Sequence, residues 1–125
     1  MTAVRYLVRD VDQSVAFYTK HLGFAVKQQF GPNMAIVTRD DLTLWLAGPG
    51  ASAARPMPDG RKPAPGGWNR IHLVVDDLAA EVERLKSEGV KFRNDIVTGP
   101  GGKQVLIVDP SGNLVELFQP GAKRV

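Results

Sequence analysis

Asn69-Arg70-Ile71-His72-Leu73-Val74-Val75-Asp76-Asp77-Leu78 is the stretch on which the fold turns. Ile71, Leu73 and Val75 alternate with Arg70, His72 and Val74, a period-two pattern that predicts a strand buried on one face. Asp77 then stands where a carboxylate can accept from the free N–H groups of a first helical turn. Leu78, Val82 and Leu85 recur at helical spacing, and Gly89 marks the helix end.

The N-terminal part of the chain uses the same pattern. Val4 to Val8 predicts a strand, and Asp10 or Asp12 the helix cap. Val11, Val15, Tyr18 and Leu22 form the helical stripe, which Gly23 terminates. Laying residue n over n+67 superposes Val4 on Ile71, Asp10 on Asp77, Val11 on Leu78, Val15 on Val82 and Tyr18 on Leu85. Three strands complete the first half: Phe24 to Phe30, Met34 to Thr38 and Leu42 to Leu46. In the second half the strand runs are Val90 to Phe92, Ile96 to Thr98, Gln104 to Val108 and Leu114 to Gln119. Both halves follow the strand–helix–strand–strand–strand pattern, the second with one strand run more, and each alone is small for its own core. The expected organisation is a single domain over 1–125, built of modules at about 1–47 and 69–120.

Between them lies 48–68, with five glycines, five prolines and no apolar period. This predicts a linker or long loop, and structureless segments beyond about 12–15 residues are usually functional or flexible. Trp68 at its end is expected to pack. The tail beyond Pro120 is expected to be loose.

Composition narrows the function classes. The net charge of +3 comes from 16 basic and 13 acidic residues. The basic residues do not cluster, apart from Arg55, Arg61, Lys62 and the Lys123-Arg124 tail, so nucleic acid is not an expected partner. With no cysteine there is no disulfide framework or thiolate site. No apolar run reaches the roughly 18 residues of a bilayer span, and no signal-peptide core is visible. A soluble, cytoplasmic protein without membrane contact is expected.

Three motifs sharpen the fold. Asp10-Val11-Asp12-Gln13-Ser14-Val15-Ala16-Phe17-Tyr18, the following Leu22-Gly23-Phe24, and Asp109-Pro110-Ser111-Gly112-Asn113-Leu114-Val115-Glu116-Leu117 resemble the vicinal oxygen chelate superfamily. That group comprises glyoxalase I, bleomycin-resistance proteins and extradiol dioxygenases. The resemblance implies an α+β fold of two tandem βαβββ modules, with curled mixed sheets around a central cavity and helices outside. It also implies a homodimer and a small-molecule ligand. It does not imply one reaction, since the group spans isomerases, lyases, transferases, dioxygenases and non-catalytic drug binders.

Metal-using members carry one ligand on the first strand and one on the last strand of each half. Counted from the helix start, the first-strand position falls on Ala3 in the first half and on Arg70 in the second. Last-strand candidates are Leu44, Trp45 and Leu46, then Glu116, whose register the Asp-Pro-Ser-Gly-Asn turn fixes. Alanine has no donor and arginine stays protonated. Glu116 and the neighbouring His72 are therefore the available ligands, fewer than a catalytic zinc site uses. No metal or other cofactor is expected; the alternative is a divalent metal held weakly by His72 and Glu116.

Strand alternation places Arg5, Trp45, Arg70, His72, Leu114, Glu116 and Phe118 on cavity faces. Arg5 or Arg70 would hold an anionic group and Trp45 or Phe118 a planar one. Against this stand structural readings: Arg70 and Glu116 neutralising each other, His72 as a core histidine, Trp45 as core. His21 is expected at the surface; Asn94 and Gln104 are further cavity candidates. The leading functional expectation is a metal-independent binder of a small anionic or planar molecule, for example a drug-sequestering protein. The second is an isomerase or lyase using His72 and Glu116 as acid–base groups. A protein-interaction role through 48–68 matches no recognition mode.

Overall fold

The computed structural model describes residues 1–121; the expected loose tail lies mostly outside them. The fold is mixed α+β, with an open four-stranded sheet, an open five-stranded sheet and two helices. The chain divides into two compact units. One is 1–67 with 110–113, the other 68–109 with 114 onward.

The first unit contains β1 (Ala3–Leu7), α1 (Val11–Leu22), β2 (Ala25–Phe30), β3 (Met34–Arg39) and β4 (Leu42–Ala47). Its sheet runs β1-β4-β3-β2, with β1 parallel to β4 and the other pairs antiparallel. Register puts Tyr6 beside Leu46, Leu46 beside Ala35 and Leu44 beside Val37, and all five are buried. Asp10 rather than Asp12 caps α1, its Oδ1 accepting from Gln13 N at 2.9 Å. Gly23 closes the helix at φ 70°, a left-handed value costly for other residues.

One expectation for α1 is corrected. Val15 is only half-buried, while Ser14 and Phe17 are buried beside Val11, Tyr18 and Leu22. The buried stripe is rotated toward Ser14, whose hydroxyl donates to Asp10 O at 2.8 Å and so enters the core without an unmet hydrogen bond.

The Gly/Pro-rich segment belongs to this first unit and includes a single 3-10 turn, Ser52–Ala54. Its start is fixed to the sheet by Gly48 N donating to Asn33 O at 2.8 Å. A side chain at Gly48 would stand 2.8 Å from Val11 Cγ2 and 2.9 Å from Pro32 O, so the close approach requires glycine. Asn113 serves the same unit twice, donating to Leu7 O and accepting from Gly66 N, each at 2.8 Å. Ser111 Oγ accepts from Arg9 N at 2.9 Å.

The second unit contains β5 (Arg70–Val74), α2 (Leu78–Ser87), β6 (Lys91–Phe92), β7 (Val97–Gly99), β8 (Gly102–Val108) and β9 (Leu114–Pro120). The order β5-β9-β8-β6 repeats that of the first unit, with β5 parallel to β9, and β7 also pairs with β8. Lys91 faces Val108 whereas Val97 faces Gln104, so β6 and β7 share one edge of β8 with the ladder interrupted between them. Asn94 bridges that interruption, its Oδ1 accepting from Leu106 N at 2.9 Å. Leu78, Val82 and Leu85 of α2 are buried, as are Ile71, Leu73, Val105, Ile107, Val115 and Leu117 on one side of the sheet.

Trp68 departs from expectation: it is 63% exposed. It precedes β5 instead of lying in it, and the Arg93 guanidinium sits 4.8 Å from its ring centroid in place of a core neighbour. No helix among the described residues is long and apolar enough to cross a membrane.

Candidate functional site

The side of the second sheet away from the buried apolar set is decided by β9, which lies between β5 and β8. Register puts His72 and Leu106 on either side of Glu116, Arg70 and Val108 beside Leu114, and Val74 and Gln104 beside Phe118. Pleating sends all of these side chains to one face. Glu116 is buried at 7% exposure, yet both its oxygens are engaged. Arg70 places Nη2 at 3.1 Å and Nε at 3.2 Å from Oε1, and His72 Nε2 lies 3.2 Å from Oε2. The Arg70 fork is held further by Nη1 donating to Trp68 O at 3.3 Å. His72 also lies against Phe118, with ring centroids 4.9 Å apart and planes tilted by 38°.

Arg70, His72, Glu116 and Phe118 are thus brought together on one face. The reading in which Arg70 and Glu116 neutralise each other is met directly. A core role for His72 is not: its side chain is 47% exposed. The face presents two aromatic rings beside a compensated carboxylate, with imidazole and guanidinium edges reaching solvent. It can stack on a planar group and offer hydrogen bonds at its rim.

Arg5 and Trp45 lie in the first unit. They are cross-strand neighbours on β1 and β4, and the Arg5 guanidinium carbon stands 5.1 Å from the Trp45 ring centroid. Trp45 is half-buried, and its Nε1 is buried with no hydrogen-bond partner among the described residues. An indole N–H in that state is under-satisfied, and an acceptor brought by a ligand would relieve it.

The donor set fits a metal poorly. Among the described residues no group of three or more His, Asp or Glu side chains could hold an ion. The one carboxylate at a family ligand position already faces the Arg70 guanidinium, a cation that opposes a second one at the same oxygen.

Some features escaped sequence reading. The Trp68 carbonyl that braces Arg70 is one. Leu106, buried beside Glu116, is another, although alternation along β8 would have found it once the pairing with β9 was known. Asn94, a candidate for the cavity, instead spends its carbonyl oxygen on the β8 backbone. His21 is half-buried rather than fully exposed, packing edge-on to Phe17 with centroids 5.4 Å apart.

A sheet–helix unit used twice, with matching strand order and a carboxylate on the last strand of the second unit, defines a vicinal oxygen chelate fold. Residues 1–117 match the Glyoxalase/Bleomycin resistance protein/Dioxygenase superfamily, and the chain belongs to it. It is 28% identical to the uncharacterized protein YwbC of Bacillus subtilis (strain 168), over 90% of this chain and 91% of YwbC. It is 27% identical to a probable chloroplastic lactoylglutathione lyase of Arabidopsis thaliana, covering 97% of this chain but 36% of that longer protein. Among solved structures, TnmS3, an antibiotic binding protein from Streptomyces sp. CB03234, superposes with a TM-score of 0.69 at 26% identity, over 97% of each chain.

Proposed function

We propose that the chain binds a small planar organic molecule, neutral or anionic, without a metal. The observation that carries this reading is the Arg70–Glu116 contact at 3.1 Å. It ties up the carboxylate that a metal would need and leaves the exposed His72 ring and the half-buried Phe118 ring as the recognition elements. Likeness to an antibiotic binding protein supports a sequestering role. Arg5 over Trp45 is a second ring-and-cation pair suited to planar anions. A homodimer and a cytoplasmic location belong to the same proposal.

Calorimetric titration with a panel of planar antibiotics and aromatic carboxylates tests the reading, on samples dialysed against EDTA and then resupplied with Zn, Ni, Mn or Fe. At least one compound is expected to bind with an affinity that chelation leaves unchanged and that His72→Ala with Phe118→Ala weakens. Binding that vanishes with EDTA and returns with one metal would overturn it.

The His72 Nε2–Glu116 Oε2 contact of 3.2 Å favours a second reading, an isomerase or lyase in which this pair moves a proton next to a carbonyl. Its measure is deuterium uptake from D2O at the α-carbon of a hydroxyketone. A His72→Ala variant with unchanged uptake would dismiss it.

A further inference from the structure

The first unit holds a cavity of about 380 Å³ that the face carrying Arg70 and Glu116 does not include. It lies where β1 and β4 end and the Gly/Pro-rich segment folds back. Leu7, Val8 and Ala47 line the strand side, and Pro63 is among four prolines on the other. The charged residues of its lining are Arg9 and Lys62, and among the described residues no acidic one lines it. Neither cation forms an ion pair among the described residues.

We infer that this cavity is a second binding site, for a small carboxylate with an apolar body. Its volume lies in the usual range of about 300–1,000 Å³ for small-molecule sites. Apolar walls with a pair of uncompensated cations favour an amphipathic anion over a neutral or cationic molecule. The Arg9 guanidinium offers a planar fork that matches a carboxylate, and Lys62 adds a point charge from the opposite wall.

The walls are set in advance. Gly48 N is bonded to Asn33 O at 2.8 Å, Arg9 N to Ser111 Oγ at 2.9 Å, and Met57 N to Arg61 O at 2.7 Å. Prolines restrict the remaining backbone, so little conformational entropy is lost when a ligand enters. This site does not depend on the reading of the second sheet, and the two are told apart by which amides respond.

Backbone amide NMR on the full chain, titrated with 2-naphthoate and separately with its neutral isostere 2-naphthamide, tests the inference. Saturable shifts are expected at Val8, Arg9, Ala54 and Lys62 with the carboxylate and not with the amide. Arg9→Gln combined with Lys62→Gln is expected to weaken binding about tenfold or more, since charge-assisted hydrogen bonds are the strong ones. Ala54→Phe keeps both charges but fills the cavity, and is expected to abolish the shifts while the remaining spectrum stays folded. Equal binding of the amide, shifts confined to residues around His72 and Glu116, or no saturable shift at millimolar ligand would overturn the proposal.

Discussion

Glu116 is almost out of water yet touches a guanidinium and an imidazole that are not. The Arg70 side chain is 32% exposed and that of His72 47%. Solvent screening on the arginine side keeps the pair's net contribution modest, about 1 kcal/mol. Its loss is asymmetric, because Glu116→Ala leaves Arg70 facing a partly apolar face. We expect that variant to lose about 1–2 kcal/mol in urea denaturation, while Arg70→Met with Glu116→Leu stays near the parent. If the double variant is less stable than Glu116→Ala alone, the ion pair is itself the stabilising unit. These residues were legible in the sequence because a fixed turn sets the register of β9 and alternation does the rest. Trp68 was not. A lone aromatic outside a periodic run carries no signal for which side it meets.

The N-terminus of α2 shows what a single element takes from near and far. Asp77 Oδ1 accepts from Ala80 N at 3.1 Å, a local cap readable from Asp-Leu at the start of an apolar stripe. Gln119 Oε1 accepts from Leu78 N at 2.8 Å across 41 residues of chain. The four free N–H groups of a helix start need partners, and here a strand supplies one of them. Asp77→Ala and Gln119→Ala are each expected to lower stability by about 1 kcal/mol, measured as a fall in the urea midpoint at unchanged slope. A negligible effect for Gln119→Ala would mean that water replaces it. The strands and helices were readable because their periods are local. That β6 and β7 would share one edge of β8 was not, since both runs look like independent strands until pairing is known.

At the scale of the whole molecule, sequence order and spatial grouping disagree at one place. Pro110–Asn113 connects β8 to β9 of the second unit, yet it groups with the first. There Asn113 holds the Leu7 carbonyl and the Gly66 N–H, and Ser111 holds the Arg9 N–H. The internal repeat announced two similar halves but gave no sign of this exchange, because a turn motif shows its backbone geometry and not the partners of its side chains. Once β8 and β9 separate, that turn loses its fixed ends, and holding it in place costs conformational entropy that the three hydrogen bonds must offset. The two units should therefore unfold together. One tryptophan sits in each, Trp45 in the first and Trp68 in the second. Trp45→Phe and Trp68→Phe leave single reporters, and Asn113→Ala in either background should lower stability by about 1–3 kcal/mol. Thermal melts followed by fluorescence are expected to give coincident midpoints before the Asn113 change and separated ones if that change uncouples the units. Distinct midpoints in the single-tryptophan proteins themselves would show that the turn does not join the two transitions.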